Sequence, residues 1–157
     1  MGNTLFTSTA AAYEALPDST KCRIDKLKAV NSSKYYTAHH EQQKGGGAIE
    51  LTEKLKQATN VEQPVVRTHP ITGRKCIFVT ESHTKYIVGL EPQESEDLLR
   101  ELLEQILRPE FIYTHSWRVG DLLIWDNAAT QHRATFDYAL PLRRLMYRTA
   151  TVGPPPF

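Results

Sequence analysis

Phe111-Ile112-Tyr113-Thr114-His115-Ser116-Trp117 carries a ring at every second position, and a period of two places Phe111, Tyr113, His115 and Trp117 on one face of an extended strand. Gly120-Asp121 then supplies a turn, and Leu122-Leu123-Ile124-Trp125 reads as a buried strand ending at Asp126-Asn127. A segment from Thr130 to Thr135 surrounds His132, a loop contains Pro141, and a last strand is expected from Arg143 to Val152. Upstream, Pro92 to Leu107 is the clearest helix. It has proline at its start, acids in its first turns and one apolar stripe of Leu98, Leu99, Leu102, Leu103 and Ile106, until Pro109 stops it. Val65-Val66, Cys76 to Val79 and Tyr86 to Val88 read as short strands around a His69-Pro70-Ile71-Thr72-Gly73-Arg74 turn. From Thr7 to Val30 the composition favours helix, capped by Ser8 or Thr9 and split at Pro17-Asp18-Ser19. Several short strands and few helices give a mainly β chain with helices, an α+β or mainly β sandwich or barrel.

The 157 residues and 40% hydrophobic content suit one soluble domain spanning 1–157. Between Asn31 and Asn60 the text turns polar, with Gly45-Gly46-Gly47, His39-His40-Glu41 and scattered lysines, and only a weak helical stretch near Ile49 to Leu55. A long connection of this kind, 31–60, is expected to act as a flexible lid or binding loop. A formal net charge of +1 leaves no electrostatic footprint for nucleic acid. No apolar run approaches the ~20 residues of a membrane span, and the N-terminus lacks the layout of a signal peptide. Cys22 and Cys76 form no C-x-x-C pair, so free thiols in a reducing, cytoplasmic setting are the expectation.

In the expected last strand, alternation puts Arg144, Met146, Arg148 and Ala150 on one face. Arg144 and Arg148 then stand roughly 13 Å apart along the strand, too far to clamp one carboxylate but suited to two separate anions. An arginine fork binds a carboxylate or sulfonate through paired charge-assisted hydrogen bonds. From spacing alone, a solvated face or pairing with acids such as Asp137 stays open. His132 by itself is compatible with a hydrogen-bonded structural histidine as well as a metal ligand. His39 and Glu41 form an H-x-E pair that could add to a facial triad, but a Gly-adjacent connection holds a rigid coordination shell poorly. His69, His83 and His115 lack ligand spacing to one another and read as turn or surface residues. No G-x-S-x-G motif or phosphate-cradling glycine loop occurs.

Taken in order, the motifs resemble a known family. They are Asn3-Thr4-Leu5-Phe6 with Ala11-Ala12-Tyr13-Glu14-Ala15-Leu16; Pro64-Val65-Val66-Arg67-Thr68-His69-Pro70 with Thr72-Gly73-Arg74-Lys75; Pro109-Glu110-Phe111; Trp117 with Gly120-Asp121; Trp125-Asp126-Asn127 with Thr130-Gln131-His132-Arg133-Ala134; Asp137-Tyr138; and Arg143-Arg144 with Met146 and Arg148. Across nearly the whole chain this resembles the taurine dioxygenase (TauD/TfdA-type) iron(II)- and 2-oxoglutarate-dependent dioxygenases, in their C-terminal part. The resemblance implies a double-stranded β-helix, or jelly-roll, in which iron is held by a His-x-Asp pair and a distal histidine. His132 is similar to that distal iron ligand. Arg144 resembles the arginine that pairs with the far carboxylate of 2-oxoglutarate, helped by the hydroxyl of Thr4, and Arg148 resembles the arginine that holds the anionic end of the substrate. Trp125 and Asn127 resemble residues supporting His132.

The implied reaction consumes dioxygen, decarboxylates 2-oxoglutarate to succinate and hydroxylates a small anionic substrate such as taurine, which then releases sulfite; alkyl sulfate esters and aryloxyacetates present the same anion. In the family the His-x-Asp pair and the first jelly-roll strands lie upstream of the loop that Gly2-Asn3-Thr4 resembles. The expectation is therefore a chain lacking two of three iron ligands, impaired in turnover. Uncovered apolar faces should favour homo-oligomers or aggregation. A catalytically inactive anion-binding or interaction module built on the same fold is the competing expectation.

Overall fold

In the computed structural model, which describes residues 2–32, 60–135, 137–138, 141, 144–153 and 155–157, the chain enters as β1 (Thr4–Ser8) and passes into α1 (Thr9–Glu14). Ser8 caps that helix, its hydroxyl accepting the Ala11 N–H at 3.2 Å, which satisfies one of the donors a helix start leaves free. Pro17 breaks the helical run as expected, and α2 (Asp18–Ile24) follows. Next come β2 (Lys28–Asn31), β3 (Val61–Pro64), β4 (Val66–Thr68), β5 (Lys75–Ile77) and β6 (Thr84–Ile87). The chain then forms α3 (Pro92–Ile106), a 3-10 turn at Pro109–Phe111, β7 (Ile112–His115) and β8 (Thr130–Ala134). Strands outnumber helices, as the sequence pattern implies.

The strands form three small antiparallel sheets, ordered β7-β1-β8, β3-β2-β6 and β4-β5. The core lies where the apolar stripe of α3 (Leu98, Leu99, Leu102, Ile106) meets Ala12, Tyr13 and Leu16 from the first helix and Val65, Ile77, Val79 and Ile87 from the strands. Two polar ties fix α3 to the N-terminal segment: the Thr7 hydroxyl donates to the Ile106 carbonyl at 2.5 Å, and Gln105 Nε2 donates to the Ala12 carbonyl at 3.0 Å. Thr7 therefore faces the helix, and by alternation Thr4 and Phe6 face the other way.

Three expectations change. Residues 28–31 are a strand, β2, because it is hydrogen-bonded between β3 and β6 with Ala29 and Val30 buried; tertiary pairing overrides a helical composition. Neither 122–125 nor 144–152 is strand, and Leu122 and Tyr147 are 86% and 94% exposed. An extended segment becomes a strand only when a neighbour takes its backbone groups, and among the described residues neither segment pairs with a strand. The expected connection at 31–60, with His39, Glu41 and the stretch near Ile49 to Leu55, lies outside the described residues except for Asn31, Ser32 and Asn60. Both cysteines are free, Cys22 exposed and Cys76 buried. Among the described residues no helix is long and apolar enough to cross a membrane.

Candidate functional site

β1 is the central strand of the β7-β1-β8 sheet, and its register decides which side chains share a face. Thr4 lies opposite Ala134 and His115, and Phe6 opposite His132 and Tyr113. Residues directly opposed across an antiparallel pair point the same way, and diagonal neighbours are roughly 7–8 Å apart. One face thus presents Thr4 and His132 as diagonal neighbours, with Phe6 beside them.

At the His132 end the imidazole stacks on Phe6, with centroids 5.8 Å apart and planes at 27°, and lies 5.0 Å from the Trp125 ring. Trp125 is itself oriented by its indole N–H, which donates to Asn127 Oδ1 at 2.8 Å. The Arg148 guanidinium sits 5.9 Å from the Trp125 ring centre, a cation–π separation. Desolvation by these neighbours, then the Arg148 charge, pulls the His132 pKa below that of an ordinary histidine. Neutral imidazole is the form that ligates metals, and no hydrogen bond occupies the His132 ring nitrogens among the described residues. One such imidazole fits a single position in a metal shell. Among the described residues no three His, Cys, Asp or Glu side chains assemble into a metal-holding group.

At the Thr4 end the buried hydroxyl oxygen receives two hydrogen bonds, from Trp117 Nε1 at 2.9 Å and from Arg144 Nη2 at 3.2 Å. With both lone pairs taken, the Thr4 O–H is left to donate. Arg144 also donates through Nε to the Gly2 carbonyl at 2.9 Å. Gly2 has φ +67, and a Cβ there would meet Arg144 Cδ at 3.0 Å, so glycine serves both the turn and the close approach. The Gly2 N–H donates to Asp137 Oδ1 at 2.7 Å, and Thr135 Oγ1 donates to the same oxygen. The Gly2 N–H first, then the Thr135 hydroxyl, hold that carboxyl below its usual range. Asp137 thus anchors the turn at Gly2 that the Arg144 side chain lies against.

Arg144 and Arg148 do not share a strand, yet they reach separate places, one at Thr4 and the other at Trp125. Spacing does not show that Trp117 is a partner of Thr4, 113 positions away, although the period of two places it on the face of His115. That histidine now lies edge-on to it, with ring centres 4.5 Å apart. His69, expected as a turn or surface residue, is in a turn but only 6% exposed; it is buried because its ring is hydrogen-bonded at both nitrogens.

The family model for "Taurine catabolism dioxygenase TauD, TfdA family" matches residues 2–150. The chain belongs to the TauD/TfdA family. This TauD/TfdA member is 37% identical over 153 residues to the alpha-ketoglutarate-dependent 2,4-dichlorophenoxyacetate dioxygenase of Burkholderia sp. (strain RASC), a match covering 97% of this chain and 49% of that relative. It is 35% identical to the alpha-ketoglutarate-dependent sulfate ester dioxygenase of Pseudomonas putida, over 99% of this chain and 52% of the relative. Its fold is similar to the crystal structure of AAD-2 in complex with Mn(II) and N-oxalylglycine, with a TM-score of 0.71 and 39% identity, covering 85% of this chain and 50% of that one. The chain spans about half the length of these relatives.

Proposed function

We propose that this chain supplies the 2-oxoglutarate-binding face and one metal ligand of an iron(II)- and 2-oxoglutarate-dependent dioxygenase that hydroxylates a small anionic organic substrate. The observation that carries this reading is the pairing, on one sheet face, of a cationic, hydroxyl-donating corner (Arg144 with Thr4) and an open imidazole (His132) one diagonal away. A five-carbon dicarboxylate has the reach to lie between them. Arg144 and Thr4 would receive its far carboxylate, since guanidinium and hydroxyl both donate to carboxylate oxygens. Its 2-oxo-acid end would then lie toward His132. When bound, the metal would supply dioxygen activation. Phe6 and Trp125 pack against the His132 ring and help to fix its direction.

Arg148, beside Trp125, is placed to attract the anionic group of the substrate. The sulfate ester relative supports a sulfur oxyanion and the dichlorophenoxyacetate relative a carboxylate; a sulfonate such as taurine is our choice within that class. The small sheets are read as parts of a jelly-roll, supported by the likeness to the AAD-2 structure and by the family match, and free thiols suit a cytoplasmic setting. The exposed Leu122, Ile124, Leu145 and Tyr147 favour self-association of the isolated chain, which light scattering against concentration measures.

The second reading, an anion-binding module without turnover, is favoured by the absence of a three-ligand group among the described residues. One titration separates them. Iron(II) added anaerobically with 2-oxoglutarate should give a weak visible charge-transfer band that is lost in His132→Ala and Arg144→Met. Binding of 2-oxoglutarate with no band supports the module, and a band that survives His132→Ala removes the proposed metal ligand.

A further inference from the structure

The turn from His69 to Arg74 and the turn before β8 are far apart in sequence, yet one side chain joins them. His69 Nδ1 accepts the backbone N–H groups of Ile71 at 3.2 Å and Thr72 at 3.0 Å. A ring nitrogen that accepts carries no hydrogen, so Nε2 bears the proton. Nε2 lies 2.5 Å from Asp126 Oδ2, and it donates there. Asp126 uses its remaining acceptors on the same turn: Oδ1 takes the Ala128 N–H at 2.7 Å, and its carbonyl takes the Thr130 N–H at 3.1 Å and the Thr130 hydroxyl at 2.6 Å. The residues on either side of Asp126 are Trp125 and Asn127, whose mutual hydrogen bond aims the indole at His132. The strand carrying His132 begins at Thr130.

We infer that His69 is a positioning residue: through Asp126 it fixes the 125–130 turn, and so sets both the Trp125 ring and the start of the strand that presents His132. A buried imidazole with a fixed tautomer is a rigid strut, because its two nitrogens point in opposite directions and each is committed to one turn. The exposed carboxylate on the other end gains from this a single orientation it would not hold in water. The functional meaning, a rigid support for the metal ligand, rests on the reading of His132 given above; the strut itself does not.

The test uses the full chain labelled with 5-fluorotryptophan, whose two tryptophans give two fluorine resonances assigned by single Trp→Phe variants, with neither iron nor 2-oxoglutarate present. His69→Asn retains an acceptor for the Ile71 and Thr72 N–H groups but cannot reach Asp126. His69→Gln places an amide N–H near the position of Nε2. Asp126→Asn keeps an acceptor for Ala128 and turns a donor toward Nε2. Expected is a shifted and broadened Trp125 line in His69→Asn and Asp126→Asn, restored in His69→Gln, with the Trp117 line unmoved and the His132 ring resonances following Trp125. If His69→Asn fails to fold, both lines collapse together and the exposed Asp126→Asn decides. An unchanged Trp125 line in Asp126→Asn overturns the inference, as does equal disturbance of both tryptophans in that variant. Because no metal is present, failure of the dioxygenase reading leaves these outcomes intact.

Discussion

Trp117 donates its indole N–H to the hydroxyl oxygen of Thr4 at 2.9 Å, joining a residue near the start of the chain to one 113 positions later. Removing the donor and removing the acceptor are different perturbations. Trp117→Phe deletes one hydrogen bond, a net loss of about 0.5–1.5 kcal/mol. Thr4→Val turns a methyl toward both Trp117 Nε1 and Arg144 Nη2, and losing two hydrogen bonds from these half-buried donors costs about 1–3 kcal/mol in all. Urea unfolding should therefore rank Thr4→Val as the more destabilising, and the reverse order would mean that the packing of the Trp117 ring, not the hydroxyl, holds this corner.

Arg144→Lys keeps the charge but loses the fork that reaches Gly2 and Thr4 together. Isothermal titration with 2-oxoglutarate should show at least a tenfold loss in Arg144→Lys, close to that in Arg144→Met. Near-normal affinity in the lysine variant would reduce Arg144 to a point charge.

Leu102 is fully buried in the α3 stripe. Leu102→Ala leaves a cavity against the first helix and strands and should cost about 2–5 kcal/mol in unfolding free energy. Leu107→Ala, at an exposed position just past the helix, should change stability by less than about 0.5 kcal/mol.

Burial alone would raise the Asp126 carboxyl, but the Ala128 N–H, the His69 hydrogen bond and the Arg67 charge outweigh it and hold the group below its usual range. A carboxyl depressed by folding contributes stability that is present above its unfolded pKa of about 3.9 and is lost as the pH falls through its lower folded value. The stability difference between the native chain and Asp126→Asn should accordingly be level from neutral pH to about 4 and shrink below it, as followed by urea midpoints across a pH series.

Where periodicity is local, it carries through to the fold: the stripe of α3 and the turn at Gly120 lie where their spacing puts them. Lys28 to Val30 misled because its composition continued a helix, while the pairing that makes it a strand comes from residues after 60. Residues 122–125 and 144–152 have strand-like sequences, but strand formation needs a neighbour that composition cannot supply. The candidate residues form a set in the sequence only through the order of the motifs that carry them. Its geometry was not, because Thr4 meets Trp117 and Arg144, and His69 meets Asp126, across separations that leave no local periodic trace.

The central position of β1 also sets a schedule for synthesis. Both of its partners lie more than 100 residues downstream, at Ile112–His115 and Thr130–Ala134. At typical elongation rates β1 leaves the ribosome roughly 5 to 25 s before β8 does. During that interval Thr4 and Phe6 belong to an unpaired edge, and the hydrogen-bonded corner at Thr4 exists only once Arg144 has been made. Ribosome-bound chains halted before residue 130 should therefore be the most dependent on chaperones, because β1 then has neither β8 nor the Arg144 side chain to pair with.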